Sequence, residues 1–196
     1  MEEEVIVDAR ALREDALSGG ERAARAFGRL WSVYYRRLSA YAASFRGLPR
    51  GEREDAVAEA LVSAFSRLES YDPGRPLSSW VYAIAHNRFA DEARRARRLS
   101  PVEVEAAAGP REGEGPPDGA HAEAIVSRLS DAELEAACAA AIAELPELDR
   151  RVAALSFLEG LDSAEVGRVL GMAPGTVRWR IHRIRARVAG RVGGRP

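Results

Sequence analysis

The sequence predicts an all-α protein in which two small helical domains are joined by a flexible linker, the second being a helix-turn-helix domain. Apolar residues recur every three or four positions in several stretches, and no alternating strand pattern of useful length occurs. A stretch rich in Gly, Pro, Ala and Glu separates the helical stretches into two groups. At 196 residues the chain can form one large domain or two small ones.

Composition places the domain boundaries. We expect an N-terminal extension over residues 1–23, a first helical domain over 24–98, a linker over 99–124 and a second domain over 125–196. The linker is net acidic and has almost no large apolar side chain. It therefore cannot bury enough surface to offset its chain entropy.

Three helices are predicted in the first domain. The first ends near Gly47 and Pro49, the second covers 53–70, and the third covers 78–98 after a Pro- and Gly-containing turn at 71–76. One face of the first helix carries Phe27, Leu30, Tyr34, Leu38, Tyr41 and Phe45.

The second domain ends in the predicted helix-turn-helix. Asp162 and Glu165 form a capping-box pattern at the start of its first helix. Gly171 suits the left-handed end of that helix, and Pro174 suits the first turn of the next. The expected helices before this motif cover 125–144 and 146–159.

The last helix separates into an apolar and a basic side. At about 100° per residue, the stripe facing the core carries Val177, Ile181, Ile184 and Val188. The opposite side carries Arg178, Trp179, His182, Arg183 and Ala186, and the flanks carry Arg180, Arg185 and Arg187. In a major groove, exposed N-terminal residues meet base edges while flanking arginines hold the backbone. Two alternatives stay open, a solvated basic helix without specificity and a Trp179 packed on a neighbouring helix.

Charge is segregated along the chain although the net charge is only −1. No acidic residue follows Glu165, whereas eight arginines do. Such a helix is suited to a polyanion, which makes DNA the first partner to consider. All cationic side chains are arginine, a bias that the codon usage of a GC-rich genome also produces.

Several classes of protein are disfavoured. The sequence has no run of eighteen apolar residues, so we expect no membrane span, and the acidic N-terminus does not resemble a secretory signal. Cys138 is the single cysteine, and the three histidines lie in different segments, so we expect no metal site. No hydrolytic triad or P-loop is present. We expect a cytoplasmic protein that is not an enzyme and needs no cofactor.

Aromatic and basic residues alternate in the third helix. Trp80, Tyr82 and Phe89 are followed by a run of arginines. Rings beside cations suit single-stranded nucleic acid, because bases stack on the rings. Rings at helical spacing also form cores, and we expect Trp80 chiefly in the core.

Both domains together resemble an extracytoplasmic-function (ECF) sigma factor of bacterial RNA polymerase. EDAVAEALVSAF and YDPGRPLSSWVYAIAHNRFADEARRARR are similar to the family's region 2, and AIAELPELDRRVAALSFLEGLDSAEVGRVLGMAPGTVRWRIHRIRAR is similar to its region 4. The resemblance implies a promoter-specificity subunit. Its partners would be promoter DNA and core polymerase, through the coiled coil of the largest subunit and through the flap, with room for an anti-sigma factor and no role for a membrane.

The resemblance also implies roles for individual residues. Core polymerase would be bound by Asp55, Glu59, Val62 and Ser66. The −10 element would be bound as melted DNA by Arg75, Ser78, Ser79, Asn87, Arg88, Arg94 and Arg95. The −35 duplex would be read by Thr176, Arg178, Trp179, Arg180, His182 and Arg183. The chain departs from the family pattern at Ala58, Ala60, Leu61, Phe65 and Trp179.

Two other functions compete with this interpretation. A transcriptional regulator could use the helix-turn-helix alone, without being a polymerase subunit. A recombinase or nuclease would need clustered carboxylates, and the adjacent Asp91 and Glu92 do not share one helix face well.

Overall fold

The computed structural model describes residues 8–99 and 140–193, and the chain divides into two compact units. All regular structure in these described residues is helical, which confirms the all-α prediction. The first unit contains α1 (Ala9–Leu17), α2 (Gly20–Ala42), α3 (Arg53–Ser66) and α4 (Leu77–Leu99). The second unit contains α5 (Glu147–Ala153) and α7 (Pro174–Gly193), and α6 (Ser163–Leu170) lies between these two helices in the chain.

Helix α2 forms the centre of the first unit. It packs against α1 and α3, and α3 in turn packs against α4. The helix ends at Ala42, earlier than predicted, because the amides of Ser44 and Phe45 donate to the carbonyls of Tyr41 and Ala42 in tighter i→i+3 bonds. Phe45 is nevertheless fully buried, so the predicted apolar face holds beyond the helix end.

A cluster of aromatic rings forms the core between α2 and α4. Tyr41 makes edge contacts with Phe45 at 5.5 Å and with Tyr82 at 5.2 Å, and Phe45 meets Phe89 at 5.5 Å. Tyr82 and Phe89 are buried and are not available for stacking on bases. Trp80, which we expected chiefly in the core, is half-buried instead and leans on Tyr71.

The predicted N-terminal extension contains a packed helix. Leu12 of α1 is buried, and the Arg13 guanidinium donates to the carbonyl oxygens of Leu68 and Glu69 at 3.2 and 2.9 Å. These carbonyls belong to the 3₁₀ turn Leu68–Ser70, which replaces the last turn of the helix predicted over 53–70. Helix α1 is therefore part of the first unit.

The predicted signals of the helix-turn-helix are confirmed. Asp162 Oδ1 accepts the amides of Ala164 and Glu165 at 2.8 Å, and the Glu165 carboxylate accepts the Asp162 amide at 2.9 Å. Gly171 has φ +67°, and Pro174 is the first residue of α7. The tight turn also needs Gly167, where a Cβ atom would lie 2.5 Å from the carbonyl oxygen of residue 172.

The helix predicted over 146–159 is divided into α5 and a π-helical turn, Ala154–Leu158. The predicted linker lies outside the described residues, apart from residue 99 at the end of α4. Of the helix predicted over 125–144, only residues 140–144 are described, and 140–143 are helical.

Candidate nucleic-acid interface

Helix α7 presents a polar surface opposite its buried stripe. Val177 and Ile184 are buried, and the other two apolar positions of the stripe are half-buried. Arg178, Trp179 and His182 are exposed. Thr176 and Arg183 are half-buried beside them. The predicted division of this helix is confirmed for these positions.

Arg180 differs from the prediction. We expected it on an exposed flank, but it is only 7% exposed, and its Nη1 donates to Asp149 Oδ1 at 2.5 Å. Asp149 comes from α5 and is 2% exposed. Arg180 is therefore paired inside the domain and does not lie on an exposed flank, which does not favour its predicted contact with DNA.

Asp149 also holds a second arginine of α7. Its Oδ2 accepts a hydrogen bond from Arg183 Nη2, and the Arg183 guanidinium lies over the Trp179 ring, 4.5 Å from the centroid. Cation–π contacts of this kind favour the indole ring. The ring face of Trp179 is thus covered by its own helix, and 38% of the residue stays exposed.

The charge of α7 is positive along its whole length. It has no acidic residue, and its arginines are Arg178, Arg180, Arg183, Arg185, Arg187 and Arg191. Arg185 lies over the Phe157 ring at 5.4 Å, and Arg191 pairs with Glu144 at 2.6 Å. A strip of arginine on one exposed helix is the electrostatic pattern that binds a phosphate backbone.

In the first unit, the turn before α4 is fixed by internal hydrogen bonds. The Gly74 amide donates to Asp72 Oδ1 at 2.9 Å, and the Tyr71 hydroxyl donates to the Arg75 carbonyl at 2.5 Å. Burial, and to a lesser extent the charge of Asp72, raise the pKa of Tyr71. Arg75 itself is exposed.

The two serines that follow this turn lie in different environments. Ser79 is buried, and its hydroxyl donates to the Pro76 carbonyl at 3.1 Å. Its side chain is turned into the protein, which does not favour its predicted contact with DNA. Ser78 is half-buried.

The exposed side of α4 holds Asn87 and several arginines paired with acids. Arg88 binds Glu59 of α3 and lies 3.6 Å from Glu92 of its own helix. The structure thereby joins a predicted polymerase contact, Glu59, to a predicted −10 contact, Arg88. Two more ion pairs along the helix are Arg94 with Asp91 and Arg95 with Glu92.

An open apolar groove of about 340 Å³ lies between α2 and α3. Two of the predicted polymerase contacts, Val62 and Ser66, line it, and Val62 is 54% exposed. Glu59 lies one turn and Asp55 two turns before Val62 on α3, and both are exposed. The remaining lining residues, which were not among the predicted polymerase contacts, are Ala23, Ala24, Phe27 and Phe65.

Comparison with known proteins places both units in one family. Residues 30–99 match Sigma-70 region 2, and residues 137–188 match Sigma-70, region 4. The RNA polymerase sigma factor CnrH of Cupriavidus metallidurans is 30% identical over 187 residues, which cover 92% of each chain. The ECF RNA polymerase sigma factor SigW of Bacillus subtilis is 33% identical over 67% of this chain and 71% of its own. The chain belongs to the ECF sigma factors.

Solved structures agree with this assignment. CnrH in complex with the cytosolic domain of CnrY has a TM-score of 0.58 and 27% identity, over 94% of this chain and 96% of its own. The sigma factor RpoE of Bartonella quintana, in complex with the anti-sigma factor NepR, shares the fold, with a TM-score of 0.59 and 21% identity over 87% and 98% of the two chains. As a sigma factor, this protein binds core RNA polymerase and promoter DNA and directs transcription initiation, which favours a polymerase subunit over an independent regulator.

Residues 8–99 and 140–193 show neither a metal-binding cluster nor a membrane-spanning helix. No group of three or more His, Cys, Asp or Glu side chains is placed there to hold a metal ion. Among the helices of the same residues, none is both long and apolar enough to cross a bilayer. Sigma factors are not a class of enzyme.

Proposed function

We propose that the two units handle two forms of promoter DNA: the second unit reads the −35 element as duplex, and the first binds the melted −10 element. The observation that carries this proposal is the surface of α7. Its exposed side combines Arg178, Trp179 and His182, and no acid lies on that helix. A helix of this kind suits the major groove, where arginine reads guanine edges.

The exposed side of α4 is proposed to meet the −10 element. Asn87 is exposed there, with Arg88, Arg94 and Arg95 on the same helix and Arg75 and Ser78 in or near the preceding turn. Ser79 is left out of this contact set because its hydroxyl is engaged with the Pro76 carbonyl. Unstacked bases expose hydrogen-bonding edges, which an amide such as that of Asn87 recognises.

The exposed side of α3 and the adjoining groove are proposed to bind core polymerase. Val62 is a large apolar side chain that is more than half exposed. Asp55, Glu59 and Ser66 lie along the same helix face, so the groove has a polar margin. An apolar centre with a polar rim is the usual composition of a protein interface.

This surface is also a candidate for an inhibitory partner. CnrH, 27% identical to this chain, was solved in complex with the cytosolic domain of CnrY. That complex supports an anti-sigma factor as a partner of this chain. We further propose that the nucleotide chemistry belongs to the polymerase, that this chain supplies no catalytic group, and that it works in the cytoplasm beside the polymerase.

The decisive experiment for this division of roles is transcription in vitro with purified core polymerase and a promoter library. The full chain should enrich promoters that share a −35 and a −10 sequence. Core polymerase alone is the control, and it should enrich neither. Tight, sequence-specific duplex binding by the chain alone, with no effect on core polymerase, would support an independent regulator instead.

A further inference from the structure

We infer that Asp149 positions the base-reading side chains of α7, an inference that rests on the proposed −35 role of that helix. Asp149 is a residue of α5 that is only 2% exposed. Its two oxygens hold two different arginines of α7, Arg180 through Oδ1 and Arg183 through Oδ2. One carboxylate thereby fixes both the position of α7 against α5, through Arg180, and the direction of the partly exposed Arg183 guanidinium.

Arg183 connects the buried carboxylate to the exposed aromatic ring. Its side chain is 42% exposed, and its guanidinium lies over Trp179 while Nη2 donates to Asp149. An arginine side chain without such partners samples many rotamers, and ordering it costs free energy on binding. Holding Arg183 at Asp149 and at Trp179 removes much of that cost before DNA arrives.

The same arrangement leaves positive charge at the surface. A single carboxylate faces two guanidinium groups, so the three side chains together keep one net positive charge. Arg183 also has further N–H donors beyond the one directed at Asp149. The Trp179–Arg183 pair therefore offers a rigid aromatic edge and a cation together, and it suits recognition of a base edge in the major groove.

The test is a transcription assay with core polymerase and a promoter library randomised at the −35 positions. Asp149→Asn should reduce the preference at one or two −35 base pairs by about fivefold to tenfold, while preferences at the −10 element stay unchanged. Arg183→Gln should reduce the preference at the same −35 base pairs. Because Asp149 acts through Arg183, the double variant should be no worse than Arg183→Gln alone.

A second variant guards against misfolding. Asp149→Asn leaves Arg180 buried beside a neutral partner, which can destabilise the domain. Combining it with Arg180→Met removes the buried charge together with its partner, and should keep the helices, by circular dichroism, while still releasing Arg183. Glu144→Gln is the matched control, since it removes another ion pair to α7, with Arg191, without touching Arg183.

Three results would overturn the inference. Both Asp149 variants could keep the wild-type −35 profile, the losses from Asp149→Asn and Arg183→Gln could simply add, or folded variants could lose transcription equally on all sequences, as a purely structural role predicts. A wild-type chain with no −35 preference would instead refute the proposed function, and that failure is recognisable because it involves no variant.

Discussion

Helices α4 and α7 both carry clusters of arginine, but they balance the charge differently. On α4, Asp91 and Glu92 lie among the arginines and pair with them. On α7 no acid is present, and the buried Asp149 comes from another helix. We expect α7 to attract a phosphate backbone strongly by itself, whereas α4 depends more on contacts with bases and on the polymerase that brings it to them.

The largest expected effect tests the dependence of the first unit on the polymerase. Val62→Asp places a charge in the apolar groove and should weaken association with core polymerase by about 2–4 kcal/mol, as loss of an interface hot spot does. Co-purification and competition for core polymerase measure it. Leu17→Asp is the matched control, because Leu17 is 52% exposed in the same unit and does not line the groove. Equal binding by the Val62 variant and wild type would remove the groove from the polymerase interface.

The next effect tests base reading by α7. Arg178→Ala should reduce transcription from promoters that need a −35 element by about 1–3 kcal/mol, because a bidentate arginine contact to a base is lost. Run-off transcription from promoters with and without that element measures the difference. Arg191→Ala serves as control, since Arg191 lies at the far end of α7 and is paired with Glu144. A uniform loss on all promoters would reduce Arg178 to a phosphate contact.

The third effect tests Asn87 of α4, whose exposed side-chain amide should contribute to promoter opening and not to the initial binding of DNA. Asn87→Ala removes a side chain that we expect to hold an unstacked base, so it should slow promoter opening by roughly tenfold, the equivalent of about 1.4 kcal/mol. Permanganate reactivity of melted thymines reports opening, and a mobility shift of the closed complex on the same variant is the control. Normal opening with weakened closed-complex binding would contradict the assignment.

The smallest effect examines the charge balance itself. Replacing Asp91 with Asn and Glu92 with Gln removes the acids beside the α4 arginines. Holoenzyme affinity for a single-stranded −10 oligonucleotide should then rise about twofold to fivefold, as expected from exposed ion pairs worth up to about 1 kcal/mol. Glu69→Gln, an exposed acid away from these arginines, is the control. An unchanged or lower affinity, measured by fluorescence anisotropy at two salt concentrations, would show that these ion pairs do not compete with DNA.

Local signals accounted for most of the fold. The capping box at Asp162, the turn at Gly171 and the start at Pro174 were predictable because each depends on only a few neighbouring residues. The early end of α2 was not, since Phe45 keeps its buried position through i→i+3 bonds that leave the apolar spacing intact. Helix α1 was missed because its packing depends on Leu12 and on contacts with residues more than fifty positions away.

The interface was less predictable than the fold. Helical arithmetic separates the sides of α7 correctly, but it cannot show that Asp149 draws Arg180 into the interior, because that contact joins residues 31 positions apart. Similarly, Phe27 and Val62 come together only when α2 packs on α3. Angles around one helix are encoded locally, whereas partners across helices depend on the tertiary packing.

The most direct measurement of the central claim is transcription by reconstituted holoenzyme from promoter libraries randomised separately at the −35 and −10 elements. Arg178→Ala and Asn87→Ala are compared with wild type. We predict that Arg178→Ala flattens only the −35 preferences and that Asn87→Ala flattens only the −10 preferences. Loss of both sets of preferences in either variant, or of neither set in both, would contradict a separation of duplex and melted DNA between the two units.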